Sequence, residues 1–179
     1  MRSQSKLSGA AQIVQGRQGL EFGSQAYMQE LMQRVNKDPM FLDLRKTGRN
    51  ATYTLHLERE PENGVEEDLR IGFAVVDGKT SEVWTGEDRT TQLTDLIFSA
   101  RYGVWVDLLR DRLRLTDALL GRKLTLRGET NEIYGPTVWM SPGPLFGTSL
   151  TAATERIVEV ARSIPTEFHG KYTSQSAIH

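Results

Sequence analysis

The residues that could do chemistry in this chain are few and poorly spaced for it. The three histidines, His56, His169 and His179, are scattered, and none has a carboxylate or second histidine at metal-ligand spacing. Cysteine is absent, which removes thiolate nucleophiles, zinc-thiolate sites and disulfides together. Gly78-Lys79-Thr80 resembles the end of a phosphate loop, but that loop needs glycine five residues before Gly78, where Phe73 stands. No Gly-x-Ser-x-Gly elbow is present. Acids are plentiful, yet no pair is singled out for acid–base work. The expectation is a protein that is not an enzyme and needs no cofactor or metal.

Charge does not point to nucleic acid either. The net charge is −1, so no global field attracts a polyanion. The charge is uneven, however. Residues 58–68 hold six acids against one base, and residues 110–127 hold six bases against two acids. Each reads first as a solvated loop or helix face. A second reading gives Arg110, Arg112 and Arg114 a transient contact with an anionic membrane surface, where each base is worth about 1 kcal/mol.

The elements that would carry a site follow from hydrophobic spacing. Ser24 can cap a helix over 24–37, with Met28, Leu31, Met32 and Val35 on one stripe and Asp38-Pro39 as its stop. Alternation predicts strands at 52–58 and from Leu69 to Val75, then a short one around Ser81–Thr85 after the Asp77-Gly78 turn, and another at Leu96–Ala100. Four such strands with short connections predict an antiparallel meander with one wet face. Tyr102, Trp105, Val106 and Leu109 then take helical spacing. Leu115–Leu120 reads as a short helix stopped by Gly121, and Leu124 and Leu126 alternate with Lys123, Thr125 and Arg127 in a fifth strand.

Residues 135–147 hold three of the six prolines, so no regular element fits there. Val138, Trp139, Met140, Leu145 and Phe146 in that segment must still cover something: a cavity mouth, a dimer contact or the core. A last helix is expected over about 149–163, with Ala153, Ile157 and Ala161 on one side and Pro165 after its end. The 179 residues suit one domain able to bury roughly 70% of its unfolded surface. The expected division is a loose extension over 1–22, the domain over 23–165 and a loose tail over 166–179. Residues 1–22 lack the apolar stretch of a signal peptide, and no run is long enough to span a membrane, so a cytoplasmic location is expected.

At 95–128 the residues resemble a known family. Asp95-Leu96-Ile97-Phe98-Ser99-Ala100, the amphipathic helix Tyr102 to Leu109, and the run from Leu113 to Gly128 together look like the sterol carrier protein type 2 domain. Two departures stand out: Asp111 where the family usually has glycine, and Arg114-Leu115 where it has Asp-Pro. The chain also ends Ala177-Ile178-His179 without the family's peroxisomal signal, which suggests a prokaryotic-type member. The resemblance implies an α+β fold: a five-stranded, mainly antiparallel sheet with helices on one face enclosing an apolar tunnel. It implies non-catalytic binding or transfer of a fatty acid, acyl-CoA, sterol or isoprenoid. The residues it would place on the ligand are Phe73, Val75, Leu96, Phe98, Tyr102, Trp105, Leu108, Leu109, Leu119, Leu124 and Leu126, with Trp139, Met140 and Phe146 as a lid. From the residues alone these side chains read first as core. The competing function is an accessory or scaffold domain that uses the same apolar surface to form a homodimer or hold a partner protein.

Overall fold

The computed structural model describes residues 19–45, 50–86, 94–128 and 147–173. After strand β1 (Leu20–Glu21), helix α1 runs Gln25–Val35, started by Ser24, whose Oγ accepts the Tyr27 N–H at 3.1 Å. It ends at Asn36. Asp38-Pro39 does not merely stop it: proline is tolerated in the first helical turn, and here it opens helix α2, Pro39–Arg45. Asp38 Oδ1 accepts the Phe41 N–H at 2.8 Å and so caps α2.

Five strands form the main sheet: β2 (Ala51–Glu58), β3 (Leu69–Val76), β4 (Lys79–Thr85), β5 (Leu96–Arg101) and β6 (Leu124–Gly128), in the order β4-β3-β2-β5-β6. The meander expectation fails at its fourth strand. β5 does not continue beside β4 but crosses back to lie parallel to β2, with Leu55 opposite Phe98 and His56 opposite Ser99. Alternation fixes which face a side chain takes and says nothing about the neighbouring strand. β2, with a partner on each side, becomes the centre. The Asp77-Gly78 turn joins β3 to β4 with both residues at positive φ, 49° and 77°, as a two-residue hairpin turn requires.

Helices α3 (Tyr102–Leu109) and α4 (Leu115–Leu120) link β5 to its antiparallel neighbour β6. Asp111 sits between them at φ +58°, a region that glycine enters freely and aspartate better than most residues. Aspartate can therefore stand in for the glycine usual at this turn. Gly121 ends α4 with an ordinary φ of −76°, and the left-handed residue is Arg122, φ +53°.

Helix α5 (Gly147–Arg162) packs against α1, α2 and α3 and covers the apolar face of the sheet. Strand β7 (Thr166–Glu167) then pairs parallel to β1. Residues placed by sequence in terminal segments thus take part in the fold. Phe22 is buried against the rings of Tyr27, Tyr102 and Phe168, and a turn at Gly170–Tyr172 packs beside them. Among the described residues no helix is long and apolar enough to cross a membrane.

The acidic loop between β2 and β3 is not wholly solvated. Glu60 is 5% exposed. Its carboxylate accepts the Gly103 N–H at the start of α3 (3.1 Å) and the Tyr172 hydroxyl (2.5 Å), and pairs with Arg101 Nε at 3.0 Å. A carboxylate at a helix N-terminus is favoured by the free N–H groups there.

Candidate functional site

Between the sheet and α5 lies a cavity of about 50 Å³. β2 contributes Tyr53 and Leu55, β3 Phe73 and Val75, and β5 Phe98. Period-2 alternation puts these five side chains on one face, and the β2–β5 register sets Leu55 against Phe98. Leu31 of α1 and Phe41 of α2 close one side, and Trp105 of α3 and Leu115 of α4 another. Ala153, Thr154, Ile157 and Val158 of α5 form the roof.

The wall is almost entirely apolar. Trp105 directs its indole N–H to the His56 carbonyl at 3.3 Å, which leaves its ring for the cavity. A water needs roughly 10–15 Å³ of such space and two or more polar partners. The cavity has the room but not the partners, so apolar matter suits it better than water. It is a small, partly open space, below the roughly 300–1,000 Å³ of ligand pockets in general. A long acyl chain would have to widen it.

Of the residues expected on the ligand, Phe73, Val75, Phe98 and Trp105 line this cavity. Leu96, Leu108, Leu109, Leu119, Leu124 and Leu126 do not; they belong to the packed core or lean on it. α4 packs on β6 and seals the leucines of that edge, so Leu126, opposite Phe98 in register, has helix over it instead of space. Tyr102 also points elsewhere. It is fully buried in the aromatic cluster at the far end of the core, its hydroxyl accepts the His169 N–H at 3.1 Å, and burial pushes its pKa up to about 12. Trp139, Met140 and Phe146 lie outside the described residues. Missed by sequence were Leu31, Phe41, Tyr53, Leu55, Leu115 and the α5 residues. Leu31, Tyr53, Leu55, Leu115, Ala153 and Ile157 fall on the expected apolar stripes or strands; Thr154 and Val158 flank the stripe of the last helix, and Phe41 belongs to a helix that the spacing does not predict.

Two arginines fasten α5, Arg156 in its second half and Arg162 at its C-terminal end. Arg156 grips Asp38 through two bonds, Nη2 to Oδ2 at 2.6 Å and Nε to Oδ1 at 3.0 Å. The same guanidinium holds the Asp38 carboxyl below its ordinary value. Arg162 donates to the Leu108 carbonyl at 2.9 Å and meets Asp111 at 2.7 Å, tying α5 to the α3–α4 turn.

Three of the six bases in the 110–127 stretch have partners at hand. The Arg110 guanidinium lies over the Phe168 ring and donates to the Tyr172 carbonyl at 2.6 Å; burial lowers its pKa. Arg114 pairs with Asp117 at 2.9 Å, and Arg112 stands 3.9 Å from Asp107. Less free positive charge faces solvent here than the sequence suggests.

The opposite face of the sheet holds a line of polar groups. Ser99 Oγ is 3.4 Å from His56 Nδ1, and His56 Nε2 is 2.8 Å from Asp68 Oδ2. His56 alternates out of the apolar set of β2, a position that predicts exposure, yet its side chain is 17% exposed, because the β2–β3 hairpin folds Asp68 back onto it. Burial acts to raise the Asp68 pKa, yet the Arg59 N–H and His56 outweigh it and hold the carboxyl below its ordinary value. Serine, histidine and aspartate in line are the groups of acyl transfer, but that chemistry also needs N–H donors aimed at an oxyanion. Ser99 is 6% exposed in mid-strand between β2 and β6, with the backbone around it engaged in both ladders. The Ser99 carbonyl accepts the Thr125 hydroxyl at 3.3 Å, so the line reads as a cross-strand hydrogen-bond ladder.

No protein-family model matches the chain, and no curated protein sequence matches it. Solved structures do. A crystal structure of sterol carrier protein 2 superposes with a TM-score of 0.61 at 18% identity, covering 80% of this chain and 99% of that one. The solution structure of a conserved hypothetical protein of Thermus thermophilus, described as possibly a sterol carrier protein, gives 0.60 at 20% identity, covering 84% and 94%. At these identities the likeness shows the fold: this chain has the sterol carrier protein 2 fold, as the resemblance at 95–128 implied.

Proposed function

We propose that this protein binds a lipid-like apolar molecule beneath α5 and carries it without transforming it. The observation that supports this is the cavity itself: a partly open apolar space between the sheet and a single covering helix, in a fold shared with sterol carrier protein 2. Apolar contact is worth about 0.8 kcal/mol per buried methylene, so a chain of about a dozen carbons gains at most about 10 kcal/mol, enough for useful affinity where the association cost lies toward the lower end of its range of about 4–15 kcal/mol. The ligand enters by pushing α5 and the lining side chains apart, since the resting cavity is small. Transport, and not catalysis, fits a wall whose polar side-chain groups, among the described residues, are the Tyr53 and Thr154 hydroxyls and the Trp105 indole N–H, with no carboxylate or imidazole beside them.

The test is a titration of the purified protein with a fluorescent long-chain fatty acid. Saturable binding of one probe per chain, competed by unlabelled lipid, is the expected result. A signal that rises without saturation, or that unlabelled lipid cannot displace, contradicts the proposal.

A further inference from the structure

The apolar cavity has a charged neighbour. Leu115 of α4 and Val158 of α5 line the cavity, and the same two side chains also line a cleft of about 270 Å³ beside it. The rest of the cleft is polar and comes from the α3–α4 turn, the start of α4 and one face of α5. A molecule with its tail in the cavity would meet this cleft on leaving it.

The charges in the cleft are not evenly satisfied. Arg162 is taken by Asp111 at 2.7 Å and by the Leu108 carbonyl. Arg114 is taken by Asp117. Glu159 is taken by Arg156 at 2.7 Å. Glu155 is half-buried on the cleft wall, and among the described residues it has no hydrogen bond or ion pair, only the longer-range pull of Arg114. Among the described residues every cation of the cleft thus has a carboxylate in direct contact, and Glu155 has no cation in direct contact. An anionic head group would have to compete with Asp111 or Asp117 for an arginine while facing Glu155, and like charges in one site cost affinity. A cationic head group meets Glu155 without displacing an ion pair among the described residues, with the Thr116 hydroxyl alongside as a further acceptor.

We propose that this cleft is the head-group end of the ligand site and that it selects single-chain amphiphiles carrying an amine, protonated at neutral pH, over those carrying a carboxylate. The assignment rests on the cavity holding the tail. The test compares dodecylamine, dodecanol and dodecanoate by calorimetric titration at pH 7, each below its micelle concentration. The expected order is amine, then alcohol, then carboxylate, with about five- to tenfold between the extremes, the scale of one partly exposed charge pair. Glu155→Gln should bring the three within about twofold of each other, and Glu155→Lys should reverse the order. Raising the salt should weaken the amine and leave the alcohol unchanged in the wild type, a readout that needs no variant.

Dodecanoate binding as tightly as dodecylamine, or an amine preference that survives both substitutions, would overturn the head-group assignment and leave the cavity reading intact. Failure of all three to bind would overturn the cavity reading, and the head-group assignment with it.

Discussion

Asp38 Oδ2 stands 2.6 Å from Arg156 Nη2, and this pair joins the helix that roofs the cavity to the helix that closes its side. Asp38 does two things at once: it receives a fork of two bonds from Arg156 and it caps α2 through the Phe41 N–H. Asp38→Ala removes both and should cost about 2–3 kcal/mol; Asp38→Asn keeps the cap and should cost about 1. Urea unfolding checks the difference. Equal losses in the two variants would mean that the cap contributes nothing beyond the ion pair.

The same pair predicts an acid limb. The Asp38 pKa is lowered from 3.8, chiefly by the Arg156 hydrogen bonds. A depressed folded-state pKa stabilises the protein above the unfolded value and loses that stabilisation as pH falls through the folded value. Wild type should therefore lose more stability than Asp38→Asn on going from about pH 4 to about pH 2. Parallel pH profiles would remove Asp38 from the acid transition.

An alkaline limb follows from the tyrosines. Burial, and then the Glu60 carboxylate, push Tyr172 up to about 12, and burial does the same to Tyr102. A raised folded pKa gives stability that is complete below the unfolded value near 10 and is lost as pH rises toward 12. Tyr172→Phe should lower stability at pH 7, because Glu60 loses a donor, and should flatten the decline above about pH 10. A decline as steep as that of wild type would show that Tyr172 does not drive it.

Gly72 is a space requirement. A Cβ there would stand 2.1 Å from Trp84 Nε1 and Cε2, because the indole lies across the strand. Gly72→Ala should cost about 1–3 kcal/mol by overpacking. Combined with Trp84→Ala, it should cost much less than the sum of the two, since the clash has gone. Additive losses would place the cause in the backbone and not in the ring.

Phe98 and Leu126 face each other across β5 and β6, yet only Phe98 borders the cavity. Both substitutions to alanine should destabilise by about 2–5 kcal/mol. Phe98→Ala should tighten binding of a long-chain probe several-fold, because it enlarges a cavity that is small at rest, whereas Leu126→Ala should leave affinity unchanged. Equal effects on binding would mean that cavity and core are not distinguishable sites.

Much of this fold was readable in the sequence wherever periodicity or turn chemistry decides it. Tyr53, Leu55 and Leu57 alternate into a strand, Asp77-Gly78 makes the β3–β4 hairpin turn, and Tyr102 to Leu109 is helical as spaced. What could not be read depends on which elements meet. Nothing in β5 says that its partner is β2. Pro39 reads as a helix stop until Asp38 is seen capping the helix that it opens. Apolar spacing marks Phe98 and Leu126 alike, and only the placement of α4 over β6 leaves one beside a cavity and the other beneath a helix. His56 and Glu60 looked solvated because their partners, Asp68 and Tyr172, come from elsewhere in the chain.

The most direct test of the cavity as the binding site is a methyl NMR titration with dodecylamine, followed to saturation. The methyl groups of Leu31, Leu55, Val75 and Ile157 line the cavity on four different elements, whereas Ile97 alternates onto the opposite face of the sheet. The expected result is a set of large, saturable shifts at those four residues with Ile97 unmoved. Saturable binding with the four lining residues unshifted, or with the shifts centred on Ile97, would contradict an internal site.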